Sequence, residues 1–353
     1  MDLDTTPTLL VDRDILDRNL ARMAESARAR GLSLRPHAKT HKCVEIARRQ
    51  LDAGARGLTV ATVSEAEVFA DAGFDDLFVA YPLWVDAARG ARLRALAGRV
   101  RLTVGIDSET GARQLVEHAG TTIGVVIEID SGHHRTGVMP EQTGTVAQAA
   151  HEAGLDVRGV FTFPGHSYAP DAPGSAAREE AGALATAAAS LRAAGIEPSV
   201  ISGGSSPTAL LEVPTVATEL RPGVYVFGDA QQLELGAVSE TDIALTVLAT
   251  VVSARDEIVV LDAGSKVLGA DRAAWATGYG RILGEPEARI TALSEHHATV
   301  QWPNPSTRPD LGQRLQVIPN HVCNAVNLAD ELITVSGGTV VERWKVAARG
   351  CNT

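Results

Sequence analysis

The chain has 353 residues, 45% hydrophobic and 21% charged, with 32 Lys and Arg against 43 Asp and Glu for a formal net charge of −11. That composition supports a sizeable core and excludes a mainly disordered state, and an acidic balance without a long Lys/Arg run argues against nucleic-acid or anionic-membrane binding. No apolar stretch approaches the roughly 18–20 residues of a membrane span. Met1-Asp2-Leu3-Asp4 lacks the basic and apolar regions of a secretory leader. Three scattered cysteines (Cys43, Cys323 and Cys351) make no disulfide framework, so a reducing cytoplasm is the expected compartment.

In chain order, Thr8 to Asp12 reads as a short strand. A helix over 14–30 follows, with Ile15, Leu16, Leu20, Met23 and Ala27 on one face and Gly31 as its stop. The alternation then becomes regular, with strands at 32–35, 58–61, 77–80, 100–106, 123–129, 157–163, 198–201 and near 224–227. Helical patterns such as 64–72 and the Ala-rich 176–194 separate them, the last pair excepted. Strands alternating with helices imply parallel pairing through crossover helices. Eight in one run, with no doubly wound switch, favour a TIM-like (β/α)8 barrel over residues 9–235. Beyond it, strand patterns at 243–253, 258–261, 290–293, 298–300, 315–317, 332–335 and 339–346 show little helical periodicity. They form an expected all-β C-terminal domain over 236–353, joined by residues 1–8.

In such a barrel the chemistry sits where strands end and helices begin. Those junctions hold Arg35-Pro36-His37-Ala38-Lys39-Thr40-His41-Lys42, Tyr81-Pro82 and Asp130-Ser131-Gly132-His133-His134-Arg135-Thr136-Gly137. Later ones hold Pro164-Gly165-His166-Ser167-Tyr168, Ser202-Gly203-Gly204-Ser205-Ser206-Pro207-Thr208 and Glu219-Leu220-Arg221-Pro222-Gly223-Val224-Tyr225. Bases and cations gather here beyond what structural loops need.

Ser202-Gly203-Gly204-Ser205 offers backbone N–H groups clear of side chains plus two hydroxyls, and Gly223-Val224 adds a second pair of amides; both suit a phosphate. Lys39 lies just beyond a strand among His37, His41 and Lys42. Neighbouring cations and partial burial depress an amine's pKa and favour Schiff-base chemistry. Phosphate loops plus such a lysine point to pyridoxal phosphate (PLP), whose ring is an electron sink for carbanions. In the β domain, His321 and Cys323 stand at i and i+2, on one face of an expected strand. Imidazole and thiolate suit Zn2+, in an open site completed by water and substrate. Each feature alone has a plainer reading: ordinary glycine turns, a solvated loop lysine, and a buried thiol beside a hydrogen-bonded imidazole. Glu295-His296-His297 reads as a solvated turn, and Cys43 as a small core thiol.

In order and spacing, these segments together resemble the fold-type III PLP enzymes, specifically the D-serine dehydratase/D-threonine aldolase group related to alanine racemase. The segments that carry the likeness begin with 35–42, Arg135-Thr136-Gly137, Gly165-His166-Ser167-Tyr168 and 202–208. Arg221-Pro222-Gly223, Asp262-Ala263-Gly264 and His321-Val322-Cys323 complete the set, which spans nearly the whole chain. The resemblance implies a homodimer whose sites lie between one subunit's barrel and a β domain. It casts Lys39 as the Schiff-base lysine, with Arg135 near the cofactor's phenolic oxygen and His166 and Tyr168 near its ring. Ser202, Gly203, Gly204, Ser205, Gly223, Val224 and Tyr225 would surround the phosphate, and either Arg221 or Tyr168 would face the pyridine nitrogen. His321 and Cys323 match the family's ligands for Zn2+ or another divalent ion such as Mn2+.

Within the group, dehydratases look like His-x-Cys at the metal and aldolases like His-x-Asp, so Cys323 implies dehydration. The expected reaction is loss of water from a D-3-hydroxy amino acid to give a 2-oxo acid and ammonia. Retro-aldol cleavage of such a substrate to glycine and an aldehyde is the nearest alternative. A racemase would leave the His321/Cys323 pair without a role, and a non-catalytic PLP carrier would need neither that pair nor the β domain. A Schiff-base lysine working without a cofactor remains a further reading of Lys39.

Overall fold

The computed structural model describes residues 5–353. Met1-Asp2-Leu3-Asp4, read above for a leader and grouped with the β domain, lie outside that range. Strand β1 (Thr8–Asp12) and helix α1 (Arg13–Ala29) open the described chain. Two compact units follow from the chain's contacts. One takes the described residues up to Arg22, then Thr40–Ile46 and Val224–Gly350; the other takes Met23–Lys39, Ala47–Gly223 and Cys351–Thr353.

The second of these units is the barrel. Its strands are β2 (Ser33–Leu34), β3 (Leu58–Val60), β4 (Asp76–Pro82), β5 (Arg101–Ile106), β6 (Gly124–Glu128), β7 (Asp156–Phe161), β8 (Val200–Gly203) and β9 (Glu219–Leu220). All pair in parallel, in the order β2-β9-β8-β7-β6-β5-β4-β3, and a parallel bridge between His37 and Thr59 links the two ends. Strands covered on both faces need continuous apolar runs, and Gly-Val-Val-Ile-Glu of β6 is buried throughout. Between the strands lie α2 (Val44–Asp52), α3 (Val63–Asp71), α4 (Ala87–Ala97), α5 (Glu109–Ala119), α6 (Thr143–Glu152) and α7 (Pro173–Ala193). Thr62, Asp86 and Ser108 cap α3, α4 and α5 by accepting the amides of Glu65, Arg89 and Gly111.

The eighth barrel strand departs from expectation. It is two residues long and ends at Leu220, and Val224–Val226 form a 3-10 turn instead. Pro222 has no N–H to extend the ladder, and its carbonyl accepts the His37 amide. Inside the barrel Arg35 Nη1 meets Asp76 Oδ1 at 2.6 Å and its Nε meets Glu219 Oε2 at 2.9 Å. These buried charges are paired and hydrogen-bonded, the condition under which a barrel interior tolerates them.

The other unit is a nine-stranded sheet: β1 with β10 (Leu245–Arg255), β11 (Ile258–Leu261), β12 (Gly280–Ile282), β13 (Glu285–Leu293), β14 (Ala298–Gln301), β15 (Arg314–Pro319), β16 (Glu331–Ser336) and β17 (Thr339–Lys345). The order is β11-β14-β13-β12-β15-β10-β1-β16-β17, and an added β10–β11 pairing closes the first six into a ring. Every pairing is antiparallel except β1 with β16. The sheet bears out an all-β region, with short helices the periodicity did not announce: α8 (Ala230–Glu234), α9 (Ser265–Leu268) and α10 (Val322–Leu328).

Candidate active site

In the barrel unit, Lys39, Arg135 and Tyr168 lie around the Phe163 ring, whose residue falls at the end of the expected 157–163 strand. Phe163 lies two residues past β7. Lys39 Nζ stands 5.5 Å from its ring centroid and the Arg135 guanidinium 5.4 Å, both within cation–π range. The His133 ring meets it edge-on at 5.7 Å, and the Tyr168 ring lies 6.0 Å away. They come from three strand ends: Lys39 after β2, His133 and Arg135 after β6, and Tyr168 after β7. Lys39 is in a short 3-10 turn after β2, with its amide 3.5 Å from His37 Nδ1. Arg135 is in the loop after β6, where Asp130 accepts the Gly132 and His134 amides and shapes the turn.

Two further groups enter here. Glu128, at the end of β6, is 3% exposed, and its Oε1 lies 3.9 Å from Arg135. Burial pushes its carboxyl up, against the pull of Thr136, Arg135 and Arg221. Glu128 Oε2 and both ring nitrogens of His166 are buried without a hydrogen bond among the described residues; His166 Nε2 is 2.9 Å from Glu179 Oε2 but misaligned for one. Buried polar atoms rarely stay orphaned, so these fit a bound polar group at this end of the barrel. An aromatic face flanked by a lysine and an arginine suits an anionic ring such as PLP.

The glycine loop after β8 is held by hydrogen bonds to buried groups of the barrel unit. Ser202 Oγ gives its one hydrogen to Glu219 Oε1 at 2.8 Å and accepts from Arg221 Nε at 2.9 Å. The Gly204 amide donates to Glu180 Oε1 at 2.6 Å, and the Ser205 amide to Thr208 Oγ1 at 3.0 Å. Each of these three donors meets a buried protein acceptor. Gly203 and Ser205 belong to the same loop, the Ser205 hydroxyl lying 2.9 Å from that of Ser167. Arg221, one of two residues expected at the pyridine nitrogen, has its guanidinium over the paired Phe78 and Phe161 rings, at 5.5 and 5.1 Å, and donates to the Thr162 carbonyl. Gly223 closes the barrel unit, while Val224 and Tyr225 are buried in the turn that opens the next stretch of the β unit.

In the β unit, His321 and Cys323 do come together, although not on a strand. β15 ends at Pro319, and Val322 begins α10 with His321 as its extended N-cap at φ −131° and ψ 102°. His321 leaves the chain before the helix starts, and this turn rather than a pleat brings the imidazole to the thiol. Burial opposes the imidazolium, yet Cys323 and Asp271 outweigh it and push His321 up to about 11. His321 Nδ1 and Asp271 Oδ2 are 2.5 Å apart, and Cys323 Sγ lies 3.4 Å from Thr40 Oγ1. Asp229, buried, accepts both the Gln232 and Val322 amides and so ties α8 to the start of α10. Among the described residues no three His, Cys, Asp or Glu side chains form a complete metal cage. A soft thiolate and an imidazole with a carboxylate on its other nitrogen are nonetheless the donor set a zinc-like ion takes. Cys43, by contrast, is fully buried, and burial pushes its thiol well up, as suits a core residue.

The domain descriptions "Alanine racemase, N-terminal domain" and "Putative serine dehydratase domain" match residues 11–231 and 244–335. D-threo-3-hydroxyaspartate dehydratase of Delftia sp. is 36% identical, over 90% of this chain and 90% of its own. D-threonine aldolase of Arthrobacter sp. is 35% identical, over 98% of this chain and 93% of its own. The solved structure of the Delftia dehydratase superposes with a TM-score of 0.89 at 34% identity, covering 98% of this chain and 97% of that one. The chain belongs to the fold-type III, alanine-racemase-like PLP enzymes, in the group of the D-serine dehydratases and D-threonine aldolases.

Proposed function

We propose that the protein is a lyase, dependent on PLP and a divalent metal ion, that removes water from a D-3-hydroxy amino acid to give a 2-oxo acid and ammonia. The observation that carries dehydration over its rival is the thiol at position 323 beside the imidazole of His321. Bound PLP supplies the electron sink for charge left at Cα. His321 and Cys323 would hold a divalent ion, Zn2+ or Mn2+, which supplies the Lewis acidity that makes a β-hydroxyl a leaving group. Lys39 Nζ, over the Phe163 ring, takes the Cα proton. Arg135 offers a cation to an anionic ring oxygen and is itself steered by Glu128. His166 and Tyr168 flank the ring, and the 203–206 loop with Gly223 takes the phosphate end. A solved form of a D-threo-3-hydroxyaspartate dehydratase variant is described as metal-free, in keeping with a metal in that protein. We further propose a homodimer working in the cytoplasm. Among the described residues no helix is long and apolar enough to cross a membrane.

The test is product identity. D-serine, D-threo-3-hydroxyaspartate, D-threonine and D-phenylserine are incubated with the holoenzyme, with and without chelator. Oxo acid and ammonia, lost on chelation and absent from Lys39→Ala, are the expected products. Glycine with an aldehyde would instead support the aldolase reading, which the Arthrobacter relative favours. Sedimentation of the holoenzyme checks the dimer.

A further inference from the structure

Helix α7 buries an apolar stripe of Ala176, Ala177, Leu184, Ala187, Ala188 and Leu191 with one carboxylate in its midst, Glu180. Glu180 is 7% exposed, and a charge in such a stripe is costly unless something uses it. Its Oε1 accepts the Gly204 amide at 2.6 Å. The fit to the loop is close: a Cβ on Gly203 would lie 2.4 Å from Glu180 Oε1, and one on Gly204 would lie 2.9 Å from Leu220 Cδ2. Gly204 also has φ +84°, where a side chain is strained. Gly203 is thus needed to admit the Glu180 carboxyl beside the loop, and Gly204 to take its positive φ against Leu220. Thr208 Oγ1 accepts the next amide, so consecutive peptides of the loop are fixed, one by α7 and the next by the loop's own hydroxyl. Burial pushes the Glu180 carboxyl up to about 7, against the Gly204 amide and Arg221, so much of it is neutral at physiological pH. A neutral acceptor shapes the loop while opposing a dianionic phosphate less than a carboxylate would.

We propose that Glu180 is the positioning residue for recognition of the cofactor's phosphate, holding the 203–206 loop in shape without touching the ligand. The inference rests on the cofactor reading above. It is tested with the full chain stripped of cofactor and titrated with PLP and with pyridoxal, which keeps the ring and aldehyde but lacks the phosphate. Glu180→Gln, whose Oε1 still accepts the amide, is expected to keep both affinities within about threefold of wild type. Glu180→Asp, one methylene too short to reach, is expected to weaken PLP about tenfold or more and leave pyridoxal unchanged. Gly203→Ala, which pushes the carboxyl away, should do the same, and serves where Glu180→Asp fails to fold by circular dichroism. Equal losses for PLP and pyridoxal, or no loss of PLP, overturn the proposal. A wild-type chain with no preference for PLP over pyridoxal overturns the cofactor reading as well, and that result precedes any variant.

Discussion

Asp271 reaches His321 from 50 positions away along the chain and takes its Nδ1. With Nδ1 so engaged, Nε2 is the nitrogen left to face an ion, and the ring's orientation is fixed before any ion arrives. Asp271→Ala is therefore expected to weaken divalent-ion affinity by roughly ten- to a hundredfold. Asp271→Asn, which keeps an acceptor oxygen, should lose less; competition against a chromophoric chelator measures both. An Asp271→Ala protein that binds the ion as wild type does would separate this carboxylate from the metal. His321 and Cys323 were legible in the sequence because two ligand types stood two residues apart. Asp271 and Asp229 were not, because an isolated aspartate between strands carries no local sign of a distant partner. Phe163 was missed for a related reason. A phenylalanine at a strand end reads as core, and only the fold sets Lys39 and Arg135 on its face.

At the scale of elements, the sequence reading located strands by β-branched runs and succeeded where the runs were long, as for β5, β6 and β10. It missed β9 and β12, both short and partly polar. Glu219–Leu220 is a barrel strand because Glu219 answers Arg35 and Ser202 inside the barrel, a reason no apolar pattern displays. The apolar 224–227 run looked more strand-like, yet the Pro-Gly ahead of it turns the chain. The 321–323 segment failed in the opposite sense. A pleat was expected, and an N-cap with a short helix delivers the same pair. The loop after β8 offers a direct check of its backbone. Gly204→Ala places a Cβ at positive φ and against Leu220, and should destabilise the protein by about 1–3 kcal/mol in urea unfolding. A variant as stable as wild type would mean that Gly204 adopts another conformation.

For the whole molecule, Glu180 links folding to acidity. Its folded value near 7 exceeds the 4.5 of a free glutamate, so the folded chain keeps a proton the unfolded chain has lost. The associated stability is fully present below about pH 4.5 and is lost as the pH rises through about 7. At roughly 1.4 kcal/mol per pH unit this amounts to about 3 kcal/mol between the extremes. Urea unfolding of the cofactor-free protein at pH 5 and pH 8 should show that fall in wild type beyond whatever Glu180→Gln shows. Parallel profiles for the two proteins would place the ionisation elsewhere.

Strand β1 has a consequence for how the polypeptide is made. Its Leu9 sits opposite Val247 and its Leu10 alongside Ile333, in the interior of a sheet whose other strands all come after the barrel. During synthesis this hydrophobic segment leaves the ribosome before its neighbours, and the whole barrel is made before the strands on either side of it. The β unit therefore cannot be excised as one contiguous fragment. A piece beginning after the barrel would expose facing backbone edges of β10 and β16, an invitation to aggregation that supplying the missing segment as a separate peptide should relieve.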